Sequence, residues 1–176
     1  MKIDKKKREI GIQAKEAWDA CDQLGTVELA TGMGKTFLAL DCMASLPKGS
    51  DVVFLAETAQ REHDLNVDID KFKEAFGIDV RKQVNLEFAC YQSACKWVKK
   101  SFDLAVCDEI HDSMSPVYVQ FYKNNKCKRI LGLSATVKSD RTYVIEDTEV
   151  SKEILLDDIA PVCFTYDVGA GQREGT

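Results

Sequence analysis

The sequence has little of what marks disordered, secreted or membrane-spanning chains. Its 176 residues include only three prolines and ten glycines, and they contain no repeat or low-complexity tract. No apolar run approaches the roughly 20 residues that a membrane-spanning helix needs. The charged N-terminus also lacks the apolar core of a signal peptide. These absences favour a compact cytoplasmic protein with no membrane partner.

The sequence also lacks a recognisable metal-binding cluster. Its seven cysteines include no C-x-x-C pair, and His63 and His111 lie far apart along the chain. The cysteines fall in apolar stretches with strand-like or helix-like patterns, where a reduced thiol behaves as a small hydrophobic side chain. We therefore expect core thiols rather than disulfides or zinc ligands.

Basic residues are in the minority, since the formal net charge is −5. This balance argues against a surface covered in positive charge, although nucleic-acid enzymes can concentrate basic groups in one groove. The run from Lys5 to Arg8 either contacts phosphates or forms a solvated, frayed end. Residues 1–11 are accordingly predicted to be a basic tail.

Strand-like and helix-like segments alternate through the rest of the chain, which is long enough for one sizeable core. Strands are predicted at 27–30, 52–56, 86–90, 104–107, 129–133 and 162–166. Helices are predicted at 12–23, 37–43, 65–76, 91–98, 117–122 and 150–158. This pattern predicts one α/β domain over residues 12–168, with an open, mostly parallel sheet and helices on both faces. Residues 169–176 are predicted to be a flexible tail.

The segment from Ala30 to Thr36 reads A-T-G-M-G-K-T and lies between a predicted strand and a predicted helix. A glycine-rich loop in that position turns backbone N–H groups and the positive end of the helix dipole towards an anion. In the P-loop mechanism Lys35 would reach the β- and γ-phosphates, and the Thr36 hydroxyl would bind Mg²⁺. Leu29 replaces the first glycine of the full pattern, so an ordinary turn before a helix is the alternative. The other predicted phosphate contacts are Thr31, Gly32, Met33 and Gly34.

Asp108 and Glu109 follow the predicted strand at 104–107. Two adjacent carboxylates at the end of a buried strand are costly unless a cation or a reaction needs them. In a P-loop ATPase the first acid holds Mg²⁺, and the second orients and deprotonates the attacking water. The alternative is a polar turn at the end of the strand, which would be favoured if the glycine-rich loop were absent. Because both motifs follow predicted strands, a coincidence is less attractive.

A third polar motif, Ser134-Ala135-Thr136, follows the strand at 129–133. Taken in order, the loop, the Asp-Glu-Ile-His segment and this motif resemble the first RecA-like domain of superfamily 2 helicases of the DExH type. The resemblance is strongest to the helicase part of type III restriction enzymes and to related phage and bacterial DNA helicases. It implies a RecA-like P-loop domain that binds ATP and Mg²⁺.

The resemblance also implies roles for other residues. His111, Ser134 and Thr136 would couple the nucleotide state to nucleic-acid binding. Gln13 would recognise adenine, unless it is only a surface residue of an amphipathic helix. The segments after the strands at 52–56 and 86–90 would contact the nucleic-acid backbone, although Tyr91 fits a core aromatic equally well. The residues implied in this contact are Thr58, Tyr91, Gln92 and Ser93.

The function implied is that of the ATP-binding motor domain of a helicase or translocase, acting on DNA rather than RNA. Such enzymes place the nucleotide between two RecA-like domains, and nothing after Thr136 resembles the second. We therefore expect a monomeric, weakly active or inactive ATPase that needs a second RecA-like domain in cis or in trans. The alternatives are a nucleic-acid or protein binding module without turnover, and the motor part of a restriction enzyme.

Overall fold

Strands and helices alternate along the chain, as the apolar pattern predicts. The computed structural model describes residues 4–135, 142–145 and 148–166, and it describes 142–145 and 148–150 by their backbone alone. The strands are β1 (Leu24–Leu29), β2 (Ser50–Ala56), β3 (Val84–Cys90), β4 (Ser101–Phe102), β5 (Leu104–Cys107), β6 (Lys126–Cys127), β7 (Ile130–Ser134), β8 (Thr142–Ile145), β9 (Thr148–Ser151) and β10 (Val162–Tyr166). The helices are α1 (Lys5–Ala20), α2 (Lys35–Ala44), α3 (Gln60–Phe76), α4 (Val80–Gln83), α5 (Tyr91–Ala94), α6 (Gln120–Asn124) and α7 (Lys152–Ile159), with a 3₁₀ helix at Ile110–Ser113.

Six strands form the central sheet, in the order β10-β1-β7-β5-β2-β3. Every neighbouring pair in this sheet is parallel. Parallel pairing requires a crossover between successive strands, and the helices between the strands provide it. The predicted α/β fold with an open parallel sheet is confirmed.

Hydrophobic cores cover both faces of this sheet. Along β2 the side chains alternate, so Val52 and Phe54 belong to one core while Val53 and Leu55 belong to the other. Buried residues of α1, α2, α3 and α4 line the first core, and those of α5, α6 and α7 line the second. A strand covered on both sides needs no polar face, which explains the unbroken apolar runs. None of the described helices is both long and apolar enough to span a bilayer.

The carboxyl ends of the six parallel strands lie along one edge of the sheet. The polar segments picked out from the sequence follow β1, β2, β3, β5 and β7, so the topology collects them at this edge. Ligands of open α/β sheets bind outside the carboxyl ends of the strands. The fold therefore places the predicted motifs where a ligand site is expected.

The first helix begins earlier than predicted. The Asp4 side chain caps α1 by accepting a hydrogen bond from the N–H of Lys7 at 3.1 Å. Ile10, Ala14 and Trp18 are buried on one face of the helix, which ties it to the sheet. Residues 5–11 are thus helical, and the prediction of a tail over 1–11 is wrong from Lys5 onward.

The segment after β3 also differs from the prediction. The predicted helix at 91–98 is a single turn, α5, and Val98 is 61% exposed. The chain instead passes through Lys99, which has a left-handed backbone (φ 58°), into β4, which pairs with β6. This small sheet and the β8–β9 hairpin were not predicted. The predicted tail at 169–176 lies outside the described residues.

The cysteines only partly match the expectation of core thiols. All seven are free, and Cys42 and Cys107 are buried. Burial raises the pKa of Cys42 to about 12, so its thiol is protonated and inert at neutral pH. Cys21 is exposed, which corrects the expectation for that residue, because it lies just past the end of α1.

Candidate nucleotide-binding site

The loop after β1 has the backbone geometry of an anion cradle. Gly32 and Gly34 have left-handed φ angles of 83° and 87°, and Gly34 is the N-cap of α2. A Cβ atom at either glycine would meet nothing within 4 Å, so glycine is needed here for backbone conformation. The first turn of α2 presents N–H groups without partners inside the helix, together with the positive end of its dipole. Thr31 is exposed beside this turn, and Met33 is buried beneath it.

Lys35 joins this loop to the acidic segment after β5. Its Nζ donates a hydrogen bond to Oε1 of Glu109 at 2.9 Å, and the two side chains are 15% and 34% exposed. Glu109 has a left-handed backbone (φ 44°, ψ 59°), which is uncommon for a residue with a Cβ atom. The predicted phosphate lysine and the second predicted acid are therefore brought into direct contact.

Asp108 lies at the end of β5 with its backbone fixed from two sides. Its N–H donates to the carbonyl of Leu55 at 2.8 Å, and its carbonyl accepts from the Tyr91 hydroxyl at 2.8 Å. Burial raises the pKa of the Asp108 carboxyl, and the charge of the nearby Arg61 opposes this rise. The carboxylate is thus partly desolvated and depends on a cation for compensation.

Arg61, in the first turn of α3, connects the two residues predicted to bind magnesium. Its Nε donates to Oδ2 of Asp108 at 3.0 Å, and its Nη2 donates to Oγ1 of Thr36 at 2.7 Å. Asp68, farther along α3, is the next acidic neighbour of Arg61 and Thr36. Burial raises the pKa of Asp68, whereas the charge of Arg61 and a hydrogen bond from the Thr36 hydroxyl lower it. The sequence analysis did not identify Arg61. In the sequence, Arg61 stands out only as a basic residue soon after the end of β2, at the edge of the sheet where the predicted motifs lie.

His111 and Ser134, two of the predicted coupling residues, are in contact. Nδ1 of His111 and Oγ of Ser134 are 2.8 Å apart. The imidazole also lies 3.6 Å from the Glu109 carboxylate and 3.3 Å from that of Asp112. A polar chain thus runs from Lys35 through Glu109 and His111 to the end of β7. Thr136, the third predicted coupling residue, lies outside the described residues.

Gln13 is exposed on α1 and lines a cavity of about 250 Å³ together with Lys6, Glu9, Ile10 and Tyr166. Tyr166 ends β10, and its carbonyl accepts a hydrogen bond from the N–H of Ala30 at 3.0 Å. The cavity therefore adjoins the start of the phosphate loop. Tyr166 was not predicted as a site residue, because its distance from the loop in sequence hides its position next to β1.

Among the predicted nucleic-acid contacts, Thr58, Gln92 and Ser93 are exposed past the ends of β2 and β3. These two strands are parallel neighbours in the sheet, so the three residues follow strand ends at the same edge. Tyr91 is different. Its side chain is 1% exposed and its hydroxyl is bound to Asp108, so it is a core aromatic and cannot contact a nucleic acid directly.

Comparison with known proteins identifies the family. Residues 3–139 match the family described as type III restriction enzyme, res subunit. The chain belongs to the type III restriction enzyme res subunit family. This match confirms the predicted resemblance to superfamily 2 helicase domains. No curated protein is detectably similar to the chain in sequence.

Solved structures share the fold of this res-subunit domain at low sequence identity. The Hef helicase domain of Pyrococcus furiosus has a TM-score of 0.62 and 15% identity, over 93% of this chain and 39% of that one. A nuclease-deletion mutant of the type ISP restriction-modification enzyme LlaGI, in complex with a DNA substrate mimic, has a TM-score of 0.58 and 16% identity, over 99% of this chain and 21% of that one. An arterivirus nonstructural protein 10 (helicase) bound to DNA has a TM-score of 0.52 and 17% identity, over 85% and 37%. The chain thus spans well under half the length of these structures.

The side chains of this res-subunit domain suit a magnesium-bound phosphate ligand. The Thr36 hydroxyl and the Asp108 carboxylate supply the oxygen donors that Mg²⁺ prefers. Lys35 and the N–H groups of the first turn of α2 can neutralise phosphate oxygens. The Asp108 carboxylate is largely shielded from water and already pairs with a cation, which is consistent with a site made to hold positive charge.

Proposed function

We propose that the chain is the ATP-binding motor domain of a DNA helicase or translocase, which uses ATP hydrolysis to move along or unwind nucleic acid. One observation carries the proposal: Lys35 contacts Glu109 at 2.9 Å, and Arg61 joins Thr36 to Asp108 beside them. The groups proposed to bind phosphate, to bind the metal and to accept the proton therefore meet at one point, where the start of α2, the first turn of α3 and the end of β5 come together. An ordinary turn before a helix would not need these partners.

In the proposed site Lys35 releases Glu109 and binds the β- and γ-phosphates at the start of α2. Thr36 and Asp108 would hold Mg²⁺, which when bound neutralises charge on the phosphate oxygens. Glu109, freed from Lys35, would orient the attacking water and accept its proton. Burial of this edge of the sheet would strengthen each of these electrostatic contacts.

The nucleotide base would occupy the cavity between α1 and β10. Gln13 can both donate and accept hydrogen bonds with its amide, and adenine presents both kinds of group along one edge. Tyr166 lines the same cavity and offers an aromatic ring. The volume of about 250 Å³ is just below the range of about 300–1,000 Å³ for drug-sized ligands, which suits one heteroaromatic base.

Coupling to nucleic acid would run through the contact of His111 with Ser134. His111 lies within reach of both Glu109 and Ser134, so a change at Glu109 on nucleotide binding alters the environment of the end of β7. Thr58, Gln92 and Ser93 would contact the phosphate backbone along the neighbouring β2 and β3 ends. We propose DNA as the track because LlaGI and the arterivirus helicase were solved with DNA.

A second RecA-like domain, in cis or in trans, would complete the nucleotide site from the opposite side. Supplying an arginine finger is worth about 10³- to 10⁵-fold in phosphoryl transfer, so this domain alone should turn over ATP weakly or not at all. The family match favours one narrower version, in which the domain is the motor part of a restriction enzyme. A binding module without turnover would not need both Asp108 and Glu109.

The test is a titration of a fluorescent ATP analogue with Mg²⁺ into the wild-type chain and two variants. Lys35→Ala removes a charged hydrogen-bond donor to the phosphates, so affinity should fall about tenfold or more. Lys48→Ala changes an exposed lysine in the turn after α2 and should leave affinity unchanged. Equal affinity in Lys35→Ala and the wild type would remove the phosphate-loop assignment.

A further inference from the structure

Arg61 lies between the two residues proposed to hold magnesium. Its guanidinium donates to Asp108 at 3.0 Å and to Thr36 at 2.7 Å, from two different nitrogen atoms. The Arg61 and Asp108 side chains are only 18% and 15% exposed, so the contact is largely shielded from water. One positive group therefore spans the gap between the end of β5 and the start of α2.

The surroundings of Arg61 hold it in this position. The guanidinium lies 5.3 Å from the centre of the Phe54 ring, and Phe54 is fully buried in β2. Asp68 lies two turns farther along α3, and the charge of Arg61 lowers the pKa that burial raises. Arg61 thus balances the negative charge of two partly buried carboxylates. These contacts differ from an exposed surface ion pair, which contributes little to stability.

Arg61 would compete with Mg²⁺ for Thr36 and Asp108, because it already donates to Oγ1 of the first and Oδ2 of the second. Mg²⁺ binds its ligands at about 2.0–2.1 Å in near-octahedral geometry. A guanidinium remains charged at all relevant pH values and has no lone pair to share with a metal. Two cations sharing Thr36 and Asp108 would repel each other strongly in a site with little water. Entry of one therefore favours departure of the other.

We propose that Arg61 is a positioning residue that holds Thr36 and Asp108 in the nucleotide-free domain and leaves them when magnesium nucleotide enters. The inference rests on the proposed function, because it takes Thr36 and Asp108 as the magnesium ligands. Arg61 fixes the position of the Asp108 carboxylate and the Thr36 hydroxyl through its two hydrogen bonds, and in this proposal the metal replaces both bonds. Rotation of its own side chain suffices, since its backbone N–H stays bonded to the Thr58 carbonyl in the first turn of α3 at 3.3 Å.

The first test measures Mn²⁺ binding by electron paramagnetic resonance in the presence of a non-hydrolysable ATP analogue. Arg61→Ala removes the competing cation, so the affinity for Mn²⁺ should rise about fivefold or more, a typical coupling between two linked sites. Binding of the analogue in EDTA should not tighten, because the lost charge is near the phosphates. Arg81→Ala is the control, since Arg81 pairs with Asp70 at 2.6 Å on the surface and should leave Mn²⁺ affinity unchanged.

A second measurement follows the Arg61 side chain of the wild-type chain by NMR. The Nε–H of Arg61 is bonded to Asp108, so its NMR signal should be protected from exchange in the free domain. The signal is assigned by its absence in Arg61→Lys. Adding the analogue with Mg²⁺ should remove the protection, whereas adding the analogue in EDTA should preserve it.

Two results would overturn the inference. One is equal or weaker Mn²⁺ affinity in a folded Arg61→Ala variant, which would mean that Arg61 assists the metal or ignores it. The other is an Arg61 Nε–H signal that stays protected with magnesium nucleotide bound. Failure of the proposed function would look different, because neither the wild-type chain nor Lys35→Ala would bind the nucleotide. The inference about Arg61 would then fail as well.

Discussion

At the scale of single residues, the position of Glu109 is fixed by its backbone conformation and by two neighbouring side chains. Its backbone is left-handed, Lys35 binds its carboxylate at 2.9 Å, and His111 lies 3.6 Å away. Residues in such sparsely populated backbone conformations persist only where the surrounding structure fixes them, and they cluster at functional sites. The geometry therefore supports a role in which the direction of the Glu109 carboxylate matters more than its charge alone.

Glu109→Gln is expected to separate binding from hydrolysis. Glutamine keeps the size of the side chain but cannot accept a proton, so the slow single-turnover ATP hydrolysis expected of this domain should fall by roughly a further 100-fold or more. Binding of the magnesium nucleotide should be retained, because Lys35, Thr36 and Asp108 are unchanged. Glu87→Gln, on the exposed side of β3, is the control and should behave as the wild type. Undiminished hydrolysis in Glu109→Gln would exclude Glu109 as the base.

Site residues that belong to one short motif could be predicted from the sequence. Lys35 and Glu109 each follow a strand at a recognisable spacing, and the structure brings them together. Arg61 and Tyr166 could not be predicted, because only tertiary packing places the first turn of α3 beside Asp108 and the end of β10 beside the loop. Tyr91 was ambiguous because its neighbours in sequence suit a core or a surface position, and burial decides between them.

At the scale of elements, the junction between β1 and α2 depends on Gly34. This residue combines a left-handed backbone with the N-cap position, so its conformation sets the direction in which α2 points its first N–H groups. A side chain there would strain the backbone even though space is free around it. The loop and the helix therefore form one structural unit, which in the proposed function binds phosphate.

Two glycine-to-alanine changes should act in opposite directions. Gly34→Ala should lower the free energy of unfolding by about 1–2 kcal/mol, because a left-handed alanine is strained. It should also weaken nucleotide binding. Gly11→Ala, inside α1 where a Cβ atom meets nothing within 4 Å, should raise the free energy of unfolding by about 0.5–1 kcal/mol. Urea denaturation measures both changes in the free energy of unfolding. A Gly34→Ala variant with the stability and the nucleotide affinity of the wild type would contradict the account of the loop.

The long elements could be predicted from the sequence and the short ones could not. Strands buried on both faces appear as unbroken apolar runs, and α3 ends at Gly77, which has the left-handed backbone (φ 74°) typical of a helix end. The strands β4 and β6 have two residues each, too few for any periodic pattern. The early start of α1 had a readable signal, since Asp4 is a good N-cap and Ile10 continues the spacing of Ala14 and Trp18.

At the scale of the whole molecule, the strand order determines which motifs meet. The strand β7 lies between β1 and β5, so Lys35 reaches Glu109 across the end of β7, where Ser134 binds His111. The sequence predicted a parallel sheet but not this order. The chain spans 39% of the Hef structure and 21% of the LlaGI structure.

The most direct test of the account is a crystal structure of the chain with Mg²⁺ and a non-hydrolysable ATP analogue. We predict that the β- and γ-phosphates lie against Lys35 and the first turn of α2, with Mg²⁺ bound by Thr36 and Asp108 and the base beside Gln13 and Tyr166. Nucleotide bound elsewhere on the domain, or Mg²⁺ without Thr36 and Asp108 around it, would contradict the central claim.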